Sequence, residues 1–404
     1  MDEEKNTAAV NDTEQDANLR TIVVTSGKGA DLQVAGLGLF ERWEKVSHKF
    51  SANVVRTESS ALIEELKSTA GPVVIAEETS VVDEVALESY FQKQHGNGEV
   101  VVLEKDELGP VPALFLGAEA AHDIAEAAAG EQTLSVSSCL KIAAGIDSME
   151  INRIVPDRAY WSTVNYKKDA DAATWGLLSM LQHRPGGLVA KYINRPVSLR
   201  ISRHLLDTPI SPNMVTIIDF IIGAVGIYFI FRGGWLNAVI GTGLMQINSI
   251  IDGIDGELAR MRLQTSEFGA YLDSVCDEIL NAALMMAVGH YLATSRQWEP
   301  YLYIGIFTGI MAFAYALVHW HCKWKHGLGF YWWFEAYKPR VEVQRSTSVF
   351  TYFKKLFWKE SYLFIFFVLA IFDVMHWMLF VGAAGAAAVF LLFIIHIPVK
   401  KARW

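Results

Sequence analysis

The sequence predicts a two-domain protein: an N-terminal α/β domain followed by a C-terminal all-α bundle of six transmembrane helices. The composition changes near Leu206 of the 404-residue chain, from mixed charge and short apolar runs to long apolar segments. From Val215 onward these segments are long enough to span a bilayer, which takes roughly 20 residues. Before the change, β-branched runs alternate with helical stretches, which is the βαβ rhythm of an α/β sandwich.

Four segments are expected along the chain. They are an acidic, disordered tail (1–18), the α/β domain (19–182), a linker with a juxtamembrane amphipathic helix (183–212) and the membrane domain (213–404). The tail is rich in Asp and Glu and poor in apolar residues, which favours disorder. No basic stretch followed by an apolar run opens the chain, so we expect no cleavable signal peptide and a cytoplasmic first domain.

In the α/β domain, three β-branched runs predict buried parallel strands, at 21–25, 72–76 and 99–103. Helices are expected between and after them, at 39–50, 59–68, 82–94 and 118–129. A last helix is expected within 166–181, and the Pro-Gly-Gly stretch that follows it marks the domain boundary.

In the membrane domain, apolar runs predict six spans, at about 213–231, 235–252, 266–293, 301–321, 362–376 and 378–397. Asp373 and His376 interrupt the apolar run between the last two. Ser211 caps the first span, and Pro212 lies in its first turn. In the linker, 189–206 mixes Arg195 and other basic residues with apolar ones. This mixture fits an amphipathic helix on an anionic membrane surface or a helix packed on the soluble domain.

Loop charges predict the orientation of the bundle. One side carries only Arg232 and Arg296, and the other carries the remaining basic residues of the membrane domain. By the positive-inside rule the basic side, with both termini, is cytoplasmic. The basic side consists of Arg260, Arg262, Lys323, Lys325, Lys338, Arg340, Arg345, Lys354, Lys355, Lys359, Lys400, Lys401 and Arg403.

Four carboxylates lie at the edges of the apolar segments: Asp252, Asp255, Asp273 and Asp277. Carboxylates persist beside a bilayer mostly when they pair, bind a cation or do chemistry. The first two are three residues apart and the last two are four apart, so each pair shares one helix face. Two such helices facing each other would bring four acids together, which requires bound cations. A site with only oxygen ligands favours Mg²⁺ or Mn²⁺.

The spacing of this segment resembles the defining motif of the CDP-alcohol phosphotransferase (CDP-alcohol phosphatidyltransferase) family and matches it at every fixed position. Residues 211–216 also look like that family. The resemblance implies an integral membrane transferase that moves a substituted phosphate from a CDP-alcohol to an alcohol acceptor and releases CMP. It also implies divalent cations and a homodimer. The fixed positions are Asp252, Asp255, Gly256, Ala259, Arg260, Gly269, Asp273 and Asp277.

Chemistry and resemblance together predict the roles of these residues. Asp252, Asp255, Asp273 and Asp277 are expected to hold the metal, and Asp277 is also the expected general base. The expected CDP-binding residues are Asp252, Gly256, Ala259, Arg260 and Gly269, in which the small residues allow close approach and Arg260 offers a planar fork to phosphate. Candidates for an acceptor phosphate are Arg195, Lys338, Arg340 and Arg345, although a solvated loop also accounts for the last three.

Two other interpretations remain open. The acids could form buried ion pairs with Arg260 and Arg262, or they could form the cation site of a transporter. The complete motif with its small residues favours the enzyme. The expected partners are the lipid bilayer and the two substrates, with no nucleic acid.

The first domain and the linker resemble the cytidylyltransferase half of fused inositol-1-phosphate cytidylyltransferase enzymes, over 34–43, 72–77, 161–165 and 184–196. The departures are important. The glycine-rich stretch 25–31 lacks the Thr-Arg pair, and Glu77 and Asn165 stand where metal-binding Asp residues are expected. Since Asn cannot neutralise a metal as a carboxylate does, we expect an inactive nucleotidyltransferase-like domain that acts as scaffold or regulator.

An active variant that uses Lys28 and Glu77 to make a CDP-inositol donor is the alternative. The fusion favours inositol or a phosphorylated polyol as the acceptor. The donor stays open between CDP-diacylglycerol and a soluble CDP-polyol.

Overall fold

The computed structural model of the chain describes residues 20–25, 32–49, 52–82, 98–105, 109–110, 113–146, 149–154, 160–184, 186–326 and 358–387. The chain divides into two compact units. The N-terminal unit is Met1–Leu181 with Met261–Leu263, and the helical unit is Gln182–Arg260 with Gln264–Trp404. The first is α/β and the described part of the second is helical, which confirms the coarse fold class.

The N-terminal unit alternates strands with helices. Its helices are α1 (Leu39–Lys49), α2 (Leu62–Lys67), α3 (Ala118–Ala127), α4 (Val136–Ala144) and α5 (Lys167–Gln182). Its strands are β1 (Arg20–Thr25), β2 (Gln33–Val34), β3 (Leu37–Gly38), β4 (Asn53–Glu58), β5 (Val73–Glu77), β6 (Ser80–Val82), β7 (Glu99–Lys105), β8 (Gly109–Pro110), β9 (Ala113–Leu116), β10 (Glu150–Ile154) and β11 (Trp161–Thr163).

The main sheet has the strand order β10-β7-β9-β5-β1-β4, with β8 paired to β7. As predicted, β1 runs parallel to β5, and it is also parallel to β4. The third predicted strand, β7, runs in the same direction as β5, because β9, which was not predicted, lies antiparallel between them. β9 is a run of four apolar residues without the alternation of apolar and polar side chains that marks a half-buried strand. Its sequence therefore did not distinguish it from a loop or from the end of a helix. The predicted helix 82–94 lies outside the described residues except for Val82, which ends β6.

The core of the N-terminal unit lies on both faces of this sheet. Ile22 and Val24 of β1 pack with Ile75 on the face that carries α2, α3 and α4. Val23 packs on the other face with Trp43 of α1. Successive side chains of a strand point to opposite faces, and both faces here are covered, so the strands are apolar throughout rather than alternating.

The helical unit begins with a π-helical turn, Ala190–Asn194, that continues into α6 (Arg195–Leu205). The remaining helices are α7 (Pro212–Arg232), α8 (Trp235–Met261), α9 (Glu267–Arg296), α10 (Pro300–His326), α11 (Lys359–Ile371) and α12 (His376–Ala387). Among the described residues, α7 and the Pro300–Leu317 part of α10 are long and apolar enough to cross a membrane. A bundle of six spans stays a prediction, and the last predicted span extends beyond the described residues.

Local signals set the ends of these helices. Ser211 Oγ accepts a hydrogen bond from the backbone amide of Met214 at 3.3 Å, and Pro212 occupies the first turn of α7. At the start of α9, Ser266 Oγ accepts from the amide of Gly269 at 3.0 Å. Both serines satisfy amides that a helix leaves unpaired at its N-terminus.

Glycines let neighbouring helices of the bundle approach closely. A Cβ added to Gly226 of α7 would lie 2.8 Å from the carbonyl oxygen of Gly241 in α8. A Cβ added to Gly305 of α10 would lie 2.7 Å from the Cα of Gly289 in α9. Such small-residue contacts are the usual way in which helices pack in membranes, because close backbones gain van der Waals contact.

Asp373 closes the turn between α11 and α12. Tyr291 Oη donates to Asp373 Oδ1 at 2.8 Å, and Arg296 Nη2 donates to Asp373 Oδ2 at 2.7 Å. The residue adopts a left-handed φ of +55°, which Asp tolerates better than most residues. This acid interrupts the apolar run because it has a structural role at that end of the bundle.

We expect Asp373→Asn to lower the free energy of unfolding by about 1 kcal/mol, since it removes a charge-assisted contact and keeps the tolerance of the left-handed conformation. Asp207→Asn is the matched control, because the exposed Asp207 pairs with Arg203 four residues earlier in the chain, and such i,i+4 pairs contribute about 0.3–0.5 kcal/mol. Thermal and denaturant unfolding of the purified chain in detergent measures both. An equal decrease in the free energy of unfolding for the two variants would contradict the structural role of Asp373.

Candidate active site

Three helices of the helical unit bring three carboxylates together. Asp219 comes from α7, Asp252 from α8 and Asp277 from α9. One carboxylate oxygen from each lies within 4.8 Å of the other two. Asp252 and Asp277 were predicted site residues, and α8 and α9 do present them to one point. We call these three residues the carboxylate cluster.

Asp219 is the member that lies outside the motif. Its side chain is buried, with 4% of its surface exposed. Oδ1 of Asp219 has no hydrogen-bond partner within the described part of the chain. Its backbone carbonyl accepts from Asn248 Nδ2 at 3.0 Å, so α7 is fixed to α8 at this level without using the carboxylate.

Lys359, the first residue of α11, supplies a positive charge to the carboxylate cluster. Its ammonium donates to Asp252 Oδ1 at 3.0 Å and also to Asp277 Oδ1. The side chains of the three residues are only about one-fifth exposed. In the sequence, Lys359 is one of many basic residues on the predicted cytoplasmic side. Its position at the start of an apolar segment did not indicate that it contacts two acids more than 80 residues earlier in the chain.

The other two predicted ligands lie one helical turn from the cluster members. Asp255 is buried in α8, where Oδ2 accepts from Thr216 Oγ1 at 2.5 Å and Oδ1 accepts from the amide of Gly256. Asp273 is partly buried in α9, four residues before Asp277. Neither belongs to the cluster, and their assignment as metal ligands stays a prediction.

The predicted CDP-binding residues line the same helices. The guanidinium of Arg260 lies over Gly256, because a Cβ added to Gly256 would lie 2.8 Å from Arg260 Nη2. Nε of Arg260 is buried and has no partner among the described residues, so the group retains a donor for a ligand. Ala259 is partly buried. Gly269 lies in the first turn of α9, where an added Cβ would come within 3.0 Å of Asn213 Oδ1.

A polar contact joins the juxtamembrane helix to the motif helix. Glu257, between Gly256 and Ala259 in sequence, is buried and accepts from Ser198 Oγ at 2.6 Å and from Ser202 Oγ at 2.5 Å. These serines form the inner face of α6. The amphipathic helix predicted at 189–206 therefore packs its small polar face against α8.

Arg195, a candidate for acceptor phosphate, begins α6. Its Nη1 donates to the carbonyl of Gln182 at 3.1 Å and to that of Arg184. Partial burial lowers the pKa of Arg195, partly offset by the negative charges of Glu360 and Glu257. The other candidates, Lys338, Arg340 and Arg345, lie outside the described residues.

In the N-terminal unit, two predicted nucleotide-site positions are described. Glu77 ends β5, and burial raises the pKa of its carboxyl. Asn165 is exposed, and its backbone N–H donates to Asp169 Oδ2 at 3.1 Å at the start of α5. Lys28 and most of the glycine-rich stretch lie outside the described residues.

Residues 209–387 match the model of the CDP-alcohol phosphatidyltransferase family. The match confirms the family resemblance that the motif predicted. One curated relative, the bifunctional IPC transferase and DIPP synthase of Aquifex aeolicus, is 32% identical over 198 residues, which are 49% of this chain and 44% of the relative.

The phosphatidylinositol phosphate synthase of Mycobacterium bovis is 31% identical over 26% of this chain and 47% of the relative. The chain thus spans less than half the length of both relatives. The inositol-1-phosphate CTP transferase of T. maritima, a solved structure, shares 13% identity over 42% of this chain and 98% of that one, with a TM-score of 0.33. At that score the likeness supports no argument.

We expect Lys359→Met to lower the free energy of unfolding by about 2 kcal/mol in a chelator-containing buffer, because Asp252 and Asp277 would face each other without their cation. Lys359→Arg is the matched control, since it keeps the positive charge. Thermal unfolding of the purified chain measures both. A Met variant as stable as the unaltered protein would contradict the structural importance of this ion pair.

Proposed function

We propose that this chain is an integral membrane CDP-alcohol phosphotransferase. It moves a substituted phosphate from a CDP-alcohol to the hydroxyl of an acceptor alcohol and releases CMP. The main support for the proposal is that carboxylate oxygens from three helices lie within 4.8 Å of one another. All three residues belong to the region that matches the family. The complete motif around Asp252 and Asp277 is the second support.

The donor set suits a divalent cation. All ligand atoms of the carboxylate cluster are oxygens, which hard cations such as Mg²⁺ and Mn²⁺ prefer. Asp219 Oδ1 is buried without a hydrogen-bond partner among the described residues, as expected of a group that receives one from outside the protein. Asp252 and Asp277 would hold the ion, with Asp255 and Asp273 one turn away. Bound cations neutralise diphosphate oxygens and stabilise the departing CMP.

Asp277 is the proposed general base. The acceptor hydroxyl gives its proton to the Asp277 carboxylate, and its oxygen forms a bond to the β-phosphorus of the donor. The bond from that phosphorus to the bridging oxygen breaks, and CMP leaves with the electron pair. Arg260 directs its guanidinium donors to phosphate oxygens, and Gly256 leaves the room that this side chain occupies. Gly269 and Ala259 are the proposed small residues beside the nucleotide.

The membrane setting is supported by α7. Its exposed apolar side chains recur at helical spacing, at Ile217, Ile221, Val225 and Tyr228, which suits a helix that faces lipid. Asp219 faces the interior from the same helix. We propose a bundle of six spans in the cytoplasmic membrane, with the active site and the N-terminal domain on the cytoplasmic side. The family resemblance supports a homodimer.

The substrates are proposed from the sequence and from the names of the relatives. An inositol phosphate or another phosphorylated polyol is the proposed acceptor, because one relative, the phosphatidylinositol phosphate synthase of Mycobacterium bovis, is named for a phosphorylated inositol product. Arg195 is the described residue proposed to meet its phosphate. CDP-diacylglycerol and a soluble CDP-polyol are both retained as donors.

The N-terminal unit is proposed to be an inactive nucleotidyltransferase-like domain, with an active cytidylyltransferase as the second candidate. The inactive domain is supported by Glu77 and Asn165, which stand where metal-binding Asp residues are expected. The word "bifunctional" in the name of the Aquifex relative favours the second.

We expect the purified chain to release CMP from a CDP-alcohol only when an acceptor and Mg²⁺ or Mn²⁺ are present. Asp277→Asn should lower kcat by about 10³-fold, because a general base contributes about 10²–10⁴-fold. Asp252→Asn and Asp255→Asn should also abolish most turnover, and chelator should abolish it entirely. A panel of donors and acceptors, with the phosphodiester product identified, measures this.

Asp207→Asn is the control for the loss of one carboxylate at an exposed position, and it should keep full activity. Transport of a cation by the chain in vesicles, without CMP release from any donor, would replace the transferase with a transporter.

For the N-terminal unit, we expect no pyrophosphate release from CTP, Mg²⁺ and inositol phosphate above background, because its predicted metal ligands depart from Asp. Glu77→Gln is compared with Glu126→Gln, a change on the exposed side of α3. Pyrophosphate release that Glu77→Gln abolishes and Glu126→Gln leaves intact would establish the active alternative.

A further inference from the structure

Asp219 is a buried carboxylate whose own surroundings do not account for it. It lies in the apolar helix α7 with 4% of its surface exposed, and Oδ1 has no hydrogen-bond partner among the described residues. Burying a charge is unfavourable unless the charge is paired or coordinates a metal. Its carboxylate faces Asp252 and Asp277 within 4.8 Å, so nearby like charges make its position still less favourable.

The charges of the carboxylate cluster are incompletely balanced. Lys359 supplies one positive charge, and its ammonium bonds to Asp252 and Asp277. Three carboxylates and one ammonium leave a net charge of two negative units in this group. One divalent cation would neutralise that charge.

Asp255 and Asp219 differ in the bonding of their oxygens. Both carboxylate oxygens of Asp255 accept hydrogen bonds, one from Thr216 and one from the amide of Gly256. In Asp219, by contrast, no group in the described part of the chain donates a hydrogen bond to Oδ1. The contact between Asn248 and Asp219 uses the Asp219 backbone carbonyl, so this link between α7 and α8 does not require the carboxylate.

We infer that Asp219 is a cation-binding residue of the active site, supplied by α7 from outside the sequence motif. The inference rests on the proposed function, because the cation is the one that the proposed transfer requires. The carboxylate lies opposite the motif helices and adds a third helix to the group that holds the ion. α7 is thereby tied to α8 and α9 when a cation is bound.

The test is Mn²⁺ binding to the purified full-length chain in detergent, followed by electron paramagnetic resonance of free Mn²⁺. We expect Asp219→Asn to weaken Mn²⁺ binding by at least about 10-fold, as the loss of one anionic ligand should. Asp207→Asn, the same chemical change at an exposed position, should bind Mn²⁺ like the unaltered chain. Asp219→Ser is a second neutral variant in case Asp219→Asn folds poorly.

Thermal unfolding separates a ligand from a structural residue. In chelator, Asp219→Asn should have a Tm equal to or above that of the unaltered chain, because an unbalanced buried charge is removed. The increase in Tm on adding Mn²⁺ should be smaller for the variant. A residue that only stabilises the bundle would instead lower Tm in chelator and leave the Mn²⁺-induced increase unchanged.

Unchanged Mn²⁺ affinity in both Asp219 variants would overturn the inference. If Asp252→Asn then still loses binding, the proposed function stands without Asp219. An unaltered chain that binds no Mn²⁺ would overturn the inference together with the cation site, and CMP release in chelator would show whether the transferase itself survives.

Discussion

The ion pairs between one lysine and two carboxylates of the carboxylate cluster are the interaction on which the helical unit depends. Asp252 and Asp277 come from different helices. Lys359, the first residue of a third helix, α11, forms ion pairs with both. Like charges repel strongly where water is scarce, so three ionised carboxylates remain together only if cations accompany them. The helix packing, the adjoining polar contacts and the proposed chemistry all follow from this requirement.

Polar contacts around the cluster fix the helices that carry it. Thr216 bonds to Asp255 between α7 and α8, and Glu257 bonds to two serines of α6. Each places a charged group of α8 against hydroxyl donors, which satisfies a buried carboxylate without a second charge. The motif helix is therefore held from two sides while Asp252 remains directed into the cluster.

The bundle contains two kinds of buried or half-buried carboxylate, and their partners distinguish them. Asp373 is bonded by Tyr291 and Arg296 at the turn between α11 and α12, so its bonding is complete within the protein. Asp219 has an oxygen without a partner in the described residues. Acids of the first kind stabilise the fold, and an acid of the second kind is suited to a ligand.

The spacing of the acids predicted which helix faces carry them, because residues three or four apart share a face whatever lies opposite. The serine cap at Ser211 and the continuous apolar run of β1 were also predictable, because both depend on near neighbours in the chain. By contrast, the antiparallel direction of β9 inside the sheet and the contacts of Asp219 and Lys359 with the site of Asp252 depend on how distant segments pack. Local periodicity fixes the direction of a side chain relative to its own helix or strand, but it cannot fix which distant segment packs against that face.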